Sequence, residues 1–344
     1  MSHMTHLHKQ GVLLMINFKV GIMGAGNIAG TIADTLNKLD AFEPYAIASR
    51  DIDRANTFAD EHNIEKRYGS YEELVQDSDV ELIYIATPHS HHAEQAKMCI
   101  EAGKPVLVEK AFSYDAETTA EILKLSEEKN IFVGEAMWIR FMPMYQALAG
   151  YVQNNAIGRI NNITCSLGYN LRHIERVTKP ELGGGALLDL GVYPLNFITM
   201  MYGKAPNAIA STCLKLDTGV DAQECLQLGF NGGQTATAFV TMMYKADNSA
   251  TLYGTEGYIE VDNINCPEAV RVYAGDGRLV SDVKQPEKQI NGYEYEFIAA
   301  RDAIILGKYE FDEMPHKETL RIMQMTDTLR KNWKISFPME NKAE

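Results

Sequence analysis

From Phe18 onward, short β-branched and aromatic runs alternate with stretches whose apolar positions recur every three to four residues. The first kind predicts strands over 19–23, 45–49, 82–86, 106–109 and 131–135; the second predicts helices over 27–39, 53–62, 91–102 and 116–129. Strand and helix in alternation imply right-handed crossovers and hence parallel strands. Past about Gly158 the period changes to two, with runs at 160–169, 208–216, 224–230, 235–244 and 258–261 separated by turns such as Asn231-Gly232-Gly233. That pattern predicts an antiparallel sheet, and helices over 293–306 and 316–333 close it. The expected fold class is therefore α/β: a parallel-sheet domain over 17–136, then an α+β domain over 137–344 on a large, mainly antiparallel sheet.

A chain of 344 residues, 46% hydrophobic, buries a full core and exceeds the usual length of one domain. Its formal net charge of -14 disfavours nucleic acid and anionic membranes, and no local run of Lys and Arg offsets it. Five scattered cysteines without CxxC spacing argue against a disulfide framework or zinc knuckle and fit a reducing cytoplasm. No apolar stretch approaches the ~20 residues of a membrane-spanning helix. Residues 1–16, with His3, His6 and His8, lack the features of a signal peptide; Ser2-His3-Met4 looks like a cloning remnant, so this stretch is expected to be tag-like or disordered.

The first strand runs into Gly24-Ala25-Gly26-Asn27-Ile28-Ala29, a GxGxxA turn. Gly24 permits the bend, Gly26 lets a pyrophosphate approach the backbone, and Ala29 keeps the helix close to the sheet. Backbone amides at Asn27 and Ile28 then face the phosphates, where the helix dipole favours negative charge. Glycines also make ordinary turns, but a strand before and a helix after point to a Rossmann-type dinucleotide site. The second strand ends at Ser49-Arg50-Asp51, where an NAD enzyme usually has an acid for the ribose hydroxyls. A hydroxyl followed by a guanidinium suits a 2′-phosphate and favours NADP. NAD stays possible if Arg50 is solvated and Asp51 serves the ribose; Asp51 as a mere helix cap is the third reading.

With these segments in place, the chain resembles the Gfo/Idh/MocA oxidoreductase family, which includes glucose-fructose oxidoreductase and inositol dehydrogenase. The match is carried by the glycine turn, Thr87-Pro88-His89-Ser90-His91-His92, Glu109-Lys110, the segment Gly183-Gly184-Gly185-Ala186-Leu187-Leu188-Asp189-Leu190-Gly191-Val192-Tyr193-Pro194, and Gly254-Thr255-Glu256-Gly257. Tyr193, where the family often has histidine, and Glu135-Ala136-Met137-Trp138-Ile139-Arg140-Phe141 resemble the dimeric dihydrodiol dehydrogenase and NADP-dependent D-xylose dehydrogenase subgroup. The resemblance implies that Glu109 and Lys110 sit beside the nicotinamide, with Lys110 catalytic. It also implies that Thr87, Pro88 and His89 line the cofactor cleft and that His92 starts the next helix. The family's proline after Glu-Lys is Ala111 here, so either the site enforces a cis peptide without proline or the lysine arrives by another backbone path.

Hydride exchange at a carbinol carbon requires a hydroxyl proton to leave or arrive, hence a positioned acid/base. Tyr193 is the candidate: a neighbouring Lys110 ammonium, together with the positive charge of an oxidised nicotinamide, is expected to pull the phenol, ordinarily near pKa 10, toward neutrality. Asp189, four residues earlier, shares its face on a helix and could orient substrate or Lys110, unless Pro194 kinks that helix. A surface or capping pair is the bland reading of Asp189 and Tyr193. Trp138 and Arg140 leave a strand's carboxyl end and are expected to wall the nicotinamide or substrate; Trp138 as plain core is the alternative. His173 and Arg176 are candidates for contact with substrate hydroxyls or else solvated loop residues. His89, His91 and His92 have no acid or thiol beside them, and no metal is expected.

The expectation is thus an NADP-dependent oxidoreductase acting on a sugar, polyol or cyclic trans-diol, a homodimer through the second sheet, without nucleic-acid or membrane partners. The alternatives are an NAD-dependent sugar or inositol-type dehydrogenase, a superfamily glycosidase that recycles its hydride, and a non-catalytic NADP-binding sensor.

Overall fold

The computed structural model describes residues 17–342, and the expected tag-like or disordered stretch 1–16 lies outside the described residues. The first sheet has six strands: β1 (Phe18–Met23), β2 (Phe42–Ala48), β3 (Lys66–Tyr68), β4 (Leu82–Ile85), β5 (Val106–Glu109) and β6 (Val133–Ala136). Their order is β3-β2-β1-β4-β5-β6 and every pairing is parallel. β4 and β5 are buried at every residue, as expected for strands covered on both faces. The covering helices are α1 (Asn27–Leu36), α2 (Ile52–His62), α3 (Tyr71–Gln76), α4 (His89–Glu101) and α5 (Ala116–Lys129).

Local chemistry sets several helix starts. Asp51 caps α2 by accepting from the Asp53 and Arg54 amides, Ser70 and Glu73 form a capping box on α3, and Asp115 caps α5 through Thr118 N–H. The sequence pattern missed β3 and α3, which are too short, at three and six residues, to express a period. It also started α4 two residues late, since Pro88 rather than a polar side chain precedes its first turn.

After α6 (Pro143–Gln153) come β7 (Ile160–Gly168), a helix α7 (Val192–Tyr202), and β8 (Ala208–Lys215), β9 (Asp221–Gly229), β10 (Thr235–Thr241), β11 (Ala250–Gly254), β12 (Gly257–Val261), β13 (Ala269–Ala274) and β14 (Leu279–Lys284). They form one eight-stranded sheet, ordered β14-β13-β12-β11-β7-β10-β9-β8. It is antiparallel except where β7 lies parallel to β10, so the expectation of a mainly antiparallel sheet holds. Ile163, Leu167, Ala236, Val240 and Leu252 turn into the core. The opposite face is exposed along Cys225, Gln227, Thr235, Thr237 and Tyr253.

The last helices, α8 (Glu294–Ile305) and α9 (His316–Trp333), return to the first sheet. Asn291 Nδ2 donates to Thr35 Oγ1 at 2.7 Å, Val133 N–H to Tyr309 O at 3.0 Å, and Ala116 N–H to Asp327 Oδ2 at 2.9 Å. The second of these bonds covers the β6 edge, and the other two tie the end of the chain to α1 and α5.

Candidate active site

The strand order reverses between β1 and β4, and a cleft of about 640 Å³ opens at their carboxyl ends, where open α/β sheets bind ligands. At one end lies the glycine turn. Gly24 has φ +102° and donates its N–H to Ala48 O at 2.9 Å; a Cβ there would stand 2.9 Å from Thr87 Cγ2. Gly26 precedes α1 with no side-chain cap, so the amides of Asn27 and Ile28 face the cleft they line. Ser49, Arg50 and Asp51 border the same end. Asp51 is spent as the α2 cap, and Ser49 Oγ accepts the Asp51 N–H at 3.3 Å. Arg54, one turn along α2, donates Nε and Nη2 to Ala25 O at 3.1 and 2.7 Å, which ties the helix to the glycine turn. This backbone cradle with two arginines fits a nicotinamide dinucleotide.

Thr87, Pro88 and His89 form the middle of the cleft. His89 is held between Gly183 O, 2.9 Å from Nδ1, and Lys110 O, 3.2 Å from Nε2; burial, with His92 and Arg176 nearby, pushes its pKa down to about 3. A neutral ring there has one N–H to donate to one of the two carbonyls, and it packs against the backbone that carries Lys110.

At the far end, β5 finishes in Glu109 and Lys110, and the Lys110–Ala111 peptide is cis. Lys110 Nζ donates to Asp189 O at 2.7 Å and lies 3.5 Å from Asp189 Oδ1, which also accepts from Arg176 Nη1 at 2.7 Å. Burial alone would raise the Asp189 carboxyl, but Lys110 and then Arg176 hold it well below the usual carboxylate range. Asp189 sits in a wide π-turn, Leu187–Gly191, in which Val192 N–H reaches back to Leu187 O. α7 continues directly from that turn, with Pro194 in its first turn.

Lys110 Nζ stands 4.9 Å from the centroid of the Tyr193 ring, over its face. Of the two charges expected to acidify Tyr193, Lys110 alone does not do so: burial, with the carboxylates of Glu109 and Asp189, holds the phenol well above its ordinary value. The ammonium meets the ring face rather than the hydroxyl, and desolvation of the phenolate dominates. Tyr193 Oη accepts from Trp138 Nε1 at 3.0 Å, and Trp138 stacks on Tyr293 with centroids 4.2 Å apart. Glu109 accepts from Tyr84 and, at 3.0 Å, from Lys110 N–H; burial raises its pKa against the pull of Lys110.

The structure brings Gly24, Gly26, Asn27, Ile28, Ser49, Arg50, Thr87, Pro88, His89, Glu109, Lys110, Arg176, Asp189 and Tyr193 to the cleft wall. Four candidates do not line it. His92 is fully buried, with Ala111 O 2.9 Å from Nδ1 and Thr87 O 2.8 Å from Nε2. Arg140 is paired with Glu318 and bonded to Asn196 and Glu313 O beneath the site. Trp138 stands behind Tyr193, and His173 is exposed outside the cleft. Sequence reading missed Arg54, Tyr71 and Tyr293, all cleft residues. Arg54 was findable, being four residues after Arg50 beside a capping Asp; Tyr293 arrives from a distant helix with no local motif.

Two family models match the chain. That of an oxidoreductase family with an NAD-binding Rossmann fold covers residues 18–136, and the GFO/IDH/MocA C-terminal domain covers residues 145–260. The trans-1,2-dihydrobenzene-1,2-diol dehydrogenase of Xenopus tropicalis is 32% identical over 329 residues, 93% of this chain and 99% of its own. Its namesake from Bos taurus is 32% identical over 328 residues, 93% of this chain and 98% of its own. KijD10, a 3-ketoreductase from Actinomadura kijaniata solved with NADP and TDP-benzene, has a TM-score of 0.82 at 23% identity, covering 92% of this chain and 97% of its own. The aldose-aldose oxidoreductase of Caulobacter crescentus, complexed with glycerol, has a TM-score of 0.83 at 19% identity, covering 92% and 98%. These two likenesses concern the fold. The cradle, the paired family models and the relatives agree: the chain belongs to the Gfo/Idh/MocA family of NAD(P)-binding oxidoreductases.

Proposed function

We propose that this enzyme moves a hydride between NADP and a hydroxyl-bearing carbon of a sugar, polyol or cyclic trans-diol, with Lys110 and Tyr193 handling the hydroxyl proton. One observation carries the reading: Lys110 Nζ, fixed on Asp189, faces the Tyr193 ring at 4.9 Å, at the opposite end of one cleft from the glycine turn. The cofactor supplies hydride acceptance and donation at its nicotinamide; the residues supply everything else. Arg176 and Lys110 neutralise Asp189, so the carboxylate acts as an anchor for the lysine rather than as a base. Tyr193, a neutral phenol when the cofactor is absent, donates its proton to a substrate carbonyl oxygen in the reductive direction and must lose it first in the oxidative direction. Trp138 already donates to the phenol oxygen, which leaves the phenol's own O–H to donate elsewhere.

NADP is favoured over NAD because Arg50 borders the ribose end while Asp51 is occupied as a cap. The diol dehydrogenase names of the relatives and the sugar-directed names of the structural neighbours support the substrate class. A second copy is the proposed cover for the exposed sheet face, where Tyr258 and Tyr273 stack at 4.6 Å and Phe239 and Tyr244 pair at 6.4 Å. A reducing cytoplasm is the proposed setting.

The test is a screen of trans-diols, polyols and aldoses with NADP, followed at the absorbance of the reduced nicotinamide. Turnover with at least one class is expected. Glycoside cleavage without net absorbance change would replace this reading by the hydride-recycling one; tight NADP binding with no turnover on any class would replace it by a sensor.

A further inference from the structure

The wide turn that presents Asp189 is held from the second sheet by one buried carboxylate. β9 pairs Asp221 with Lys215 and Gln223 with Leu214, so its register skips Ala222. Without the skip, the side chain at 221 would share the outward parity of Gln223 and Cys225; the extra residue turns it inward, as a bulge does when it re-aims a side chain. Asp221 is accordingly 1% exposed. Its Oδ2 accepts the Leu187 N–H at 2.5 Å, the amide that opens the π-turn. Its Oδ1 occupies the space where a Cβ on Gly185 would fall, and Gly185 has φ +117°. Gly185, the last of the three glycines, therefore admits a side chain from another element, while Gly184 packs on the main-chain carbonyls of Val177 and Lys179.

Glu224 completes the arrangement. It is fully buried, neither of its oxygens receives a donor, and it contacts Asp221. Two carboxyls touching in a dry interior share a proton. Burial, with Asp221 beside it, pushes the Glu224 carboxyl well up from its ordinary value, which favours the protonated form that can donate to Asp221.

We propose that Asp221 is a positioning residue for the reaction: held by Glu224 on one side, it fixes the Leu187 amide and with it the turn that places Asp189, Lys110 and Tyr193. The inference rests on the roles given above to those three residues. Lys110 is bonded to the main-chain carbonyl of Asp189, so a displaced turn carries the lysine and the phenol together. A misplacement of about 1 Å can cost ~100-fold in rate.

The experiment compares Asp221→Ala, Asp221→Asn and Glu224→Gln in the full chain with NADP present, reading kcat, the NADP dissociation constant and hydrogen exchange of the amides over 186–196. Asp221→Ala is expected to lower kcat by about ten-fold or more, to leave NADP affinity within about two-fold and to lose protection over that segment. Asp221→Asn keeps an acceptor for Leu187, and Glu224→Gln keeps a donor for Asp221; both are expected within about three-fold of the parent. If Asp221→Ala does not fold, Asp221→Ser, too short to reach Leu187, takes its place. Unchanged protection over 186–196 in the truncated variant, or a loss in Asp221→Asn as large as in Asp221→Ala, overturns the inference. Exchange is read whether or not any substrate turns over, so a parent protein without turnover counts against the proposed function and leaves this inference to be decided by protection alone.

Discussion

The two ends of the cleft are built in opposite ways. The ribose end is made from two short stretches, 24–29 and 49–54, and works through backbone amides, a tight turn and guanidinium groups. The reaction end gathers Lys110 from just after β5, Asp189 and Tyr193 from the turn and helix after the glycines, Arg176 from the single helical turn Glu175–Thr178 and Tyr293 before α8. At the first end the groups that line the cleft have fixed hydrogen-bonding geometry, so a single substitution is expected to change affinity. At the second, charges and rings are held by one another in a buried setting, so a single substitution is expected to change rate.

Removing Lys110 should produce the largest effect. Lys110→Ala takes the cation from Asp189 and from the Tyr193 ring face at once, and kcat is expected to fall by ~1,000-fold, in the range of a lost acid/base partner. NADP affinity, measured by fluorescence titration, should stay within about three-fold. A large loss of affinity would erase the division between the two ends.

Tyr193→Phe comes next, at ~100-fold in kcat. It also has a signature in pH. The phenol is held above its ordinary value, so it keeps its proton through neutrality. In the oxidative direction the rate of the parent enzyme should therefore climb as pH rises through the alkaline range, because more of the ring has lost its proton. The Phe variant should show no such climb, and a matching slope in both would take the proton away from Tyr193.

At the ribose end, Arg50→Ala should weaken NADP by ~10- to 100-fold, the range of one charge-assisted hydrogen bond, and leave NAD within about two-fold. Arg54→Ala should behave differently. Its guanidinium holds Ala25 O, so its loss slackens the glycine turn and should weaken both cofactors by about five-fold. Competitive titration of the two nucleotides separates these outcomes, and equal losses for NADP and NAD in Arg50→Ala would reassign the ribose site to the NAD pattern.

Legibility in the sequence followed the same division. The glycine turn follows directly on the first strand, and Arg50 follows closely on the second, so local turn chemistry at each strand end identifies them. The alternation of periods located the two sheets, because long buried strands such as β7 and β9 express their parity over nine residues each. β3 and α3 were too short for that signal, and the parallel pairing of β7 with β10 depends on topology that no local pattern encodes. Lys110, Asp189 and Tyr193 came from resemblance to a family motif, but their surroundings did not. Desolvation opposes the shift expected of Tyr193, and what surrounds a phenol is set by α8 and the turn 138–141, far off in the chain. Trp138 and Arg140 were read at a strand's carboxyl end and so as ligand walls. The 3₁₀ turn Trp138–Phe141 instead rolls both side chains under the site.

The smallest expected effect tests whether this buried layer belongs to the reaction end or merely supports it. Trp138 has two contacts with separable chemistry: its ring stacks on Tyr293 and its N–H is donated to Tyr193 Oη. Trp138→Phe keeps an aromatic plane against Tyr293 and removes the donor alone. A neutral hydrogen bond contributes about 1 kcal/mol, so kcat should fall by roughly five-fold while the thermal midpoint moves little. The direction of the accompanying pH change follows from the bond's sense. A donor to the phenol oxygen stabilises the phenolate, as Trp138 does here against the larger effect of burial. Without it the phenol should hold its proton to still higher pH, and the alkaline climb in oxidation should shift upward. A loss of rate with an unmoved profile would mean that Trp138 acts through packing, and the reaction end would then stop at the residues that face the cleft.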